Sequence, residues 1–174
     1  MPDKQSFPII QVIGYKNSGK TTMMNRLIRY ASDQGLRTAS LKHHGHSDSL
    51  EPMHSGTDSF QHHESGAFLT GVEGGGSLQL EFGKGLEVSL RQLINIYENF
   101  SPNLLLVEGY KREVYPKILM ARTNEDFELV HEIANIRAVV CWEKDMESSI
   151  DVPVFHIETI EDHLGELIYL CKEV

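Results

Sequence analysis

Short apolar runs alternate along the chain with stretches in which apolar residues recur every three or four positions. The first run, Phe7–Ile13, ends at a glycine and is typical of a strand buried on both faces. A helix that ends near Gly35 is predicted next by the spacing of Met24, Leu27, Ile28 and Ala31. Thr38–Leu41 then has the pattern of a second strand.

The second half of the chain repeats this order. An amphipathic helix closed by Pro102 is predicted by Leu86, Leu90, Leu93, Ile94 and Tyr97. Later strands are predicted at Leu104–Val107, Ala138–Trp142 and Val152–Ile157. A final helix, started by a capping box of Thr159 and Asp162, is predicted by Ile160, Leu164, Leu167, Ile168 and Cys171. Alternating strands and helices predict an α/β fold, a mostly parallel sheet flanked by helices.

The segment from residue 42 to residue 85 does not follow this alternation of strands and helices, and it is rich in His, Ser and Gly. Within it, Leu78, Leu80 and Phe82 alternate with polar residues, and three glycines at 74–76 supply a turn after 67–72. We predict a β-hairpin at about 67–82, inserted into a single domain of residues 1–174. The apolar face of its second strand favours pairing with a second copy of the chain, as a homodimer, although packing on the domain's own core is the alternative.

Composition narrows the range of partners. The chain has 174 residues, 40% of them hydrophobic, and a formal net charge of −9. An acidic surface disfavours nucleic acid and anionic membranes, but residues 1–46 hold seven Lys or Arg against two Asp, which leaves room for a small anionic ligand. No stretch reaches the ~18 apolar residues of a membrane span, and the two cysteines are distant in sequence. We therefore expect buried, reduced cysteines and a cytoplasmic protein.

The strongest chemical signal is the phosphate-loop pattern GYKNSGKT, residues 14–21, which lies between a predicted strand and a predicted helix. Such a loop turns successive backbone N–H groups toward phosphate oxygens at the positive end of a helix dipole. Lys20 is expected to bridge the β and γ phosphates, and Thr21 to ligate Mg²⁺. The expected nucleotide-binding residues here are Gly14, Lys16, Asn17, Ser18, Gly19, Lys20, Thr21 and Thr22.

A phosphate loop of this kind needs an acid at the end of a neighbouring strand to hold the metal or its water. Glu108 ends the apolar run before Gly109 and is predicted to be that metal-holding, catalytic acid. Asp58 follows Gly56 at the start of a short predicted helix, where it is either the helix cap or a second catalytic acid. Lys111 and Lys117 come just after Glu108 and could reach phosphate, but a surface role is favoured for each.

Six of the nine histidines fall within one short window of the chain: His43, His44, His46, His54, His62 and His63. Neutral imidazole is a common ligand of nickel and zinc, so a metal site is one interpretation. The other is a polar loop whose histidines hydrogen-bond or face water. We favour the second, because no cysteine or Glu-x-x-His motif accompanies them.

Taken in order, the segments GYKNSGKTT, LKHHGHSD, GTDS, HHESGA, LLLVEGYK and PKI resemble the MobB family, the B proteins of molybdopterin-guanine dinucleotide biosynthesis. The resemblance runs from about Pro8 to Cys141. It implies a small homodimeric GTP-binding protein of the phosphate-loop class with weak GTPase activity. Its implied partner is the molybdopterin guanylyltransferase, with other molybdenum cofactor synthesis proteins. Gly14 to Thr22 match the family's nucleotide loop, His43 and Asp58 its second segment, and Glu108 with Gly109 its acidic strand end.

Base preference stays open at this point. After Trp142 the chain offers Glu143-Lys144-Asp145, and Asp145 is a candidate acceptor for the guanine N1 and N2 hydrogens; a plain charged loop is the alternative. Two other functions fit the phosphate loop. A nickel-delivery GTPase would use the histidines, and a small-molecule kinase would use residues 45–66 as a lid over an acceptor.

Overall fold

The computed structural model describes residues 6–44, 56–83, 85–143 and 151–172. They form two compact units, divided between residues 45 and 46 and again between residues 93 and 94, within a helix. In chain order the elements are β1 (Ile9–Ile13), α1 (Lys20–Asp33), β2 (Thr38–Lys42), α2 (Asp58–Glu64), β3 (Leu69–Gly74), β4 (Ser77–Phe82), α3 (Leu90–Glu98), β5 (Leu104–Glu108), β6 (Lys117–Ala121), α4 (Asn124–Phe127), α5 (Leu129–Glu132), β7 (Ile136–Cys141), β8 (Val154–His156), a 3-10 turn (Ile160–His163) and α6 (Leu164–Lys172).

The first unit is built on a six-stranded sheet in the order β2-β5-β1-β6-β7-β8, with every pair parallel. Because parallel strands share one direction, all six carboxyl ends meet at one edge, where ligands of such sheets bind. Strand β1 is central, and the chain leaves it directly into the phosphate loop. The predicted mostly parallel sheet flanked by helices is confirmed.

Successive residues of the central strands face opposite sides of the sheet, and both sides are buried. One side packs under α1 and α6 through residues such as Val12, Leu106 and Met120. The other packs under α4 and α5 through Ile13 and Leu119. Two-sided burial explains why β1, apart from Gln11, and β5, up to its final Glu108, are apolar runs in the sequence rather than alternating ones.

The second unit contains the hairpin β3–β4, at the predicted place, with Gly75 and Gly76 in the turn. Its register gives it two different faces. Leu69 and Phe82 pair directly, as do Gly71 with Leu80 and Glu73 with Leu78, so the large apolar residues share one face. The opposite face carries Thr70, Val72, Gln79 and Glu81, which line a cavity of about 270 Å³ together with the first turn of α2.

Several local predictions were wrong. Leu86 lies outside α3 and is exposed, because the helix begins only at Leu90. Thr159 makes no side-chain cap, and the segment after it is a 3-10 turn before α6. A capping box forms instead at Thr123 and Asp126, at the start of α4. The helices α4 and α5 and the strand β6 were not predicted.

Lys117 explains why β6 is difficult to recognise: the strand begins with a lysine whose side chain is completely buried. Its ammonium donates to the carbonyl oxygens of Glu113 and, at 2.8 Å, Tyr115. The expected surface role is therefore wrong for Lys117, whereas Lys111 is exposed as expected. Burial lowers the pKa of Lys117 from 10.5 to about 8, although the nearby Glu113 carboxylate opposes the shift.

Both cysteines, Cys141 and Cys171, are buried and free, as expected. Burial raises the pKa of Cys171 to about 12. In the described part of the chain, none of the helices combines the length and the apolar character needed to cross a membrane.

The buried ammonium of Lys117 predicts a stability change with pH. A lowered pKa means that the folded state binds fewer protons than the unfolded state between pH 8 and 10.5, so this group makes folding more favourable as pH rises through that window. Chemical denaturation of the natural protein and of Lys117→Met at several pH values between 7 and 9.5 measures the effect. We expect the free energy of unfolding of the natural protein to rise relative to that of the variant. A difference that stays constant with pH would contradict the assignment.

Candidate functional site

The loop between β1 and α1 has the backbone geometry of an anion cradle. Gly14 and Gly19 adopt positive φ angles of 147° and 96°. A Cβ atom at Gly14 would lie 2.6 Å from the carbonyl oxygen of Met120, and one at Gly19 would lie 2.8 Å from the Trp142 ring. Both positions therefore require glycine. Gly19 is also the N-cap of the 14-residue helix α1, whose first N–H groups and dipole face the loop.

The first two residues of α1, Lys20 and Thr21, direct their side chains to different parts of the site. The Lys20 ammonium donates 2.6 Å to the carbonyl oxygen of Tyr15, which folds the side chain back over the loop. Burial lowers the pKa of Lys20 below its usual range, with the Glu108 carboxylate opposing the shift and Lys42 adding to it. The Thr21 hydroxyl points the other way, toward the end of β5.

Glu108 lies at the carboxyl end of β5, next to β1, with only 7% of its surface exposed. Its carboxylate oxygens lie 3.1 and 3.3 Å from Thr21 Oγ1, which donates to them. The Lys42 ammonium, at the end of β2, is 3.3 Å from Oε1. The predicted pair of Thr21 and Glu108 is thus brought together, and a cation already lies against the acid.

A buried glutamine holds the turn that follows Glu108. Gln11 of β1 donates through Nε2 to the carbonyl oxygens of Gly109 at 2.9 Å and Tyr110 at 2.7 Å. Gly109 and Tyr110 both have positive φ, so the chain turns sharply away from the sheet there. The Tyr110 ring lies against His43, with 4.2 Å between ring centroids. A single polar residue within a buried strand was a signal that could have found Gln11.

Two further residues contact the loop from the opposite side and were missed by the sequence analysis. Trp142, just after β7, donates from Nε1 to the carbonyl oxygen of Ser18 at 2.9 Å. Arg122, just after β6, donates to the carbonyl oxygen of Asn17 at 2.8 Å and lies over the Trp142 ring. Nothing in their sequence spacing links these residues to positions 17 and 18, because the contacts join three different strand ends.

The other predicted residues are placed as follows. Lys16 and Thr22 are exposed, on the loop and on the first turn of α1. Asp58 is exposed in the second unit and opens α2, but the cap is Thr57, whose hydroxyl accepts from the Phe60 N–H, so the capping interpretation of Asp58 is wrong. Asp145, like His46 and His54, lies outside the described residues. Within residues 6–44, 56–83, 85–143 and 151–172, no group of three or more His, Cys, Asp or Glu could hold a metal ion.

Comparison with known proteins decides the family. The family model of the molybdopterin guanine dinucleotide synthesis protein B, MobB, matches residues 9–142. A probable molybdopterin-guanine dinucleotide biosynthesis adapter protein of Bacillus subtilis is 39% identical over 153 residues, 87% of each chain. This chain belongs to the MobB family. The adapter protein of Escherichia coli is 27% identical over 92% of this chain and 91% of its own.

Solved MobB structures share the fold. The Bacillus subtilis MobB crystal structure superposes with a TM-score of 0.78 at 34% identity, covering 97% of this chain and all of that one. The MobB homologue of Bacillus stearothermophilus gives a TM-score of 0.75 at 34% identity, over 95% and 99% of the two chains. The fold is therefore that of the MobB phosphate-loop proteins, and the family places the chain in molybdenum cofactor biosynthesis.

The buried acid of this MobB-family site generates a prediction. Glu108→Gln keeps the shape of the side chain but removes the charge that would hold a metal or its water. We expect the apparent Mg²⁺ affinity of the nucleotide complex to fall about 10- to 100-fold and any hydrolysis to fall with it, while nucleotide binding without metal changes little.

Titration of Mg²⁺ at fixed nucleotide, followed by calorimetry and phosphate release, measures both effects. Glu98→Gln, an exposed position at the end of α3, is the matched control and should behave as the natural protein does. An unchanged Mg²⁺ response in Glu108→Gln would place the acid elsewhere, and Asp58 would then be tested next.

Proposed function

We propose that this chain is a GTP-binding adapter with slow, Mg²⁺-dependent GTPase activity that assists the guanylyltransferase joining GMP to molybdopterin. The observation that supports the proposal most strongly is the convergence of Lys20, Thr21 and Glu108 at the start of α1. Lys20 suits phosphate, Thr21 suits a metal ion, and Glu108 would balance the charge of that ion. The relatives' names, adapter proteins of molybdopterin-guanine dinucleotide biosynthesis, support the biological setting.

The donor set fits Mg²⁺. A hydroxyl and a carboxylate supply hard oxygen ligands, and Mg²⁺ in nucleotide sites binds one or two such side chains and takes its other ligands from phosphates and water. The Lys42 ammonium lies 3.3 Å from Glu108, and this ion pair supports a position that favours positive charge. Thr21 and Glu108 would hold the ion, which when bound would neutralise charge on the β and γ phosphates.

Slow hydrolysis follows from the way Glu108 is engaged. A general base must accept a proton from water, but this carboxylate already accepts from Thr21 and would be engaged by the metal when the ion is bound. Its role is therefore to hold charge rather than to activate water. An adapter of this kind would act mainly through its nucleotide-bound conformation, and GTP hydrolysis would be secondary.

A preference for guanine is supported by the cavity next to Trp142. This cavity, about 310 Å³ at the carboxyl ends of β7 and β8, is lined by Cys141, Glu143, Val154, Phe155, His156, Glu158 and Thr159. Guanine donates hydrogen bonds from N1–H and N2–H, which carboxylate oxygens can accept. Adenine has a hydrogen-bond acceptor at N1 instead, so a carboxylate would not bind it in the same way. Glu143 and Glu158 give the cavity acidic acceptors that favour guanine, and Asp145 remains a further proposed acceptor.

The decisive variant for nucleotide binding is Lys20→Ala. Loss of charge-assisted hydrogen bonds to two phosphates should weaken GTP binding by about 10- to 1,000-fold, with the fold intact. Calorimetry with GTP and with ATP on the natural protein, on Lys20→Ala and on the exposed control Lys172→Ala measures the loss and the base preference. Equal GTP affinity in Lys20→Ala and the natural protein would refute the site.

The proposed homodimer has a candidate contact in the second unit. Leu78 and Leu80 on the apolar face of the hairpin are 54% and 40% exposed, and Leu69 on the same face is 38% exposed. An exposed apolar strand face on which Glu73 is the one charged residue is a surface that a symmetric second copy would cover. This exposure supports the contact over packing of that face within a core.

Leu80→Asp tests the contact. A carboxylate at the centre of the apolar face should convert a dimer into monomers, because its burial would be uncompensated. Light scattering at micromolar concentration measures the mass of the natural protein, of this variant and of Phe100→Asp, a control at an exposed apolar residue of the first unit. A monomeric natural protein would reject the dimer, and a dimer that survives Leu80→Asp would move the interface away from the hairpin.

A further inference from the structure

We infer that Arg122 and Trp142 are positioning residues that clamp the phosphate loop from its outer side. In such a loop the N–H groups turn inward toward phosphate, so the carbonyl groups turn outward. Two consecutive outward carbonyls, those of Asn17 and Ser18, accept hydrogen bonds from Arg122 at 2.8 Å and from Trp142 at 2.9 Å. Fixing these two peptide groups fixes the direction of the Gly19 N–H and of the Ser18 N–H, which donates 3.3 Å to the Tyr15 carbonyl oxygen and closes the turn of the loop.

The loop needs such support because part of its backbone is unfavourable. Asn17 is one of the few non-glycine residues with a positive φ, 63°. Asn tolerates this left-handed conformation better than other non-glycine residues do, but the conformation is still uncommon and persists where the surroundings determine it. The hydrogen bond from Arg122 reaches the carbonyl of this residue. The Trp142 ring lies against Gly19, so close that only glycine fits at this position.

The backbone of each clamp residue is anchored by hydrogen bonds. The Arg122 N–H donates 2.5 Å to the buried Asp126 carboxylate, which also accepts from the Thr123 N–H in the capping box of α4. The backbone N–H of Trp142 donates to the carbonyl oxygen of Ala121. The backbone carbonyl oxygen of Trp142 lies 2.9 Å from His156 Nε2.

The side chains also support each other, since the Arg122 guanidinium carbon lies 5.1 Å from the Trp142 ring centroid. In the strand order of the sheet, β5 is the neighbour of β1 in one direction, and β6 and then β7 follow β1 in the other. Glu108 at the end of β5 and the clamp residues after β6 and β7 therefore flank β1 from opposite directions. The clamp can therefore orient the loop without touching the metal ligands.

The consequence for binding rests on the proposed function, but the consequence for the loop does not. Without nucleotide, amide hydrogen exchange of residues 14–22 should quicken about three- to tenfold in Arg122→Ala, the amount that loss of one hydrogen bond allows. Exchange in β1 and α6 should stay as in the natural protein. Trp142 is the only tryptophan, so its emission should also change in Arg122→Ala. Arg29→Ala, an exposed arginine on α1, is the matched control.

Trp142→Phe provides the second test. It removes the N–H donor to Ser18 but keeps an aromatic ring over Gly19, and it should quicken loop exchange in the same way. If Arg122→Ala unfolds, this variant carries the test alone. Unchanged exchange in residues 14–22, or an increase spread evenly over the whole chain, would overturn the clamp.

Binding separates the clamp from its alternatives. Affinities for Mg²⁺-GTP and for inorganic tripolyphosphate with Mg²⁺ should fall by the same three- to tenfold factor in both variants, because the loop contacts only phosphates. A loss confined to GTP would show that the pair contacts the nucleoside and would overturn the clamp. Absence of GTP binding in the natural protein would refute the proposed function, whereas the exchange measurement would still decide on the clamp.

Discussion

The site depends on one nearly buried carboxylate, Glu108, at the end of a central strand. Burying a charge is costly unless it is paired and hydrogen-bonded. Here Thr21 supplies the hydrogen bond and Lys42 the opposite charge, and each comes from an element next to β5. The same requirement explains the rest of the arrangement. The acid makes this position of the sheet edge favourable for a cation, and the neighbouring helix N-terminus makes the loop favourable for an anion, as a metal–triphosphate complex requires.

The parallel sheet brings the other residues of the site to the same place as Glu108. Strands β2, β5, β1, β6 and β7 end at the same edge, so Lys42, Glu108, the phosphate loop, Arg122 and Trp142 are brought together from five places in the sequence. Glu108, Arg122 and Trp142 stand at or just after the ends of the buried strands β5, β6 and β7, whereas Lys42 ends the more exposed strand β2. The loop and the start of α1 are thus held on one side by the contact of Thr21 with Glu108 and on the other by the Arg122–Trp142 clamp.

Much of this arrangement could be predicted from the sequence, and the reasons differ by residue. The phosphate loop is a local motif, so its spacing and flanking strand and helix are sufficient to identify it. Glu108 could be predicted because it ends an apolar run. Strand β6 could not, since Lys117 begins it, and its burial depends on carbonyl groups four and two residues earlier. Arg122 and Trp142 could not be assigned, because a tertiary contact between strand ends leaves no periodic signal. The capping box at Thr159 was wrong because a matching residue pair does not fix the helix type that follows.

The central claim is that the groups around Glu108 and the phosphate loop form a site for a metal–nucleoside triphosphate. The most direct measurement is a crystal structure with a non-hydrolysable GTP analogue and Mn²⁺ in place of Mg²⁺, because the anomalous signal of Mn²⁺ locates the ion without assumptions. We expect one ion bound by Thr21 Oγ1, with Glu108 as a ligand or bound through a water, the Lys42 ammonium displaced from Glu108, and Lys20 moved from the Tyr15 carbonyl to the phosphates. An ion held by histidines, or an analogue bound away from residues 14–22, would contradict the account.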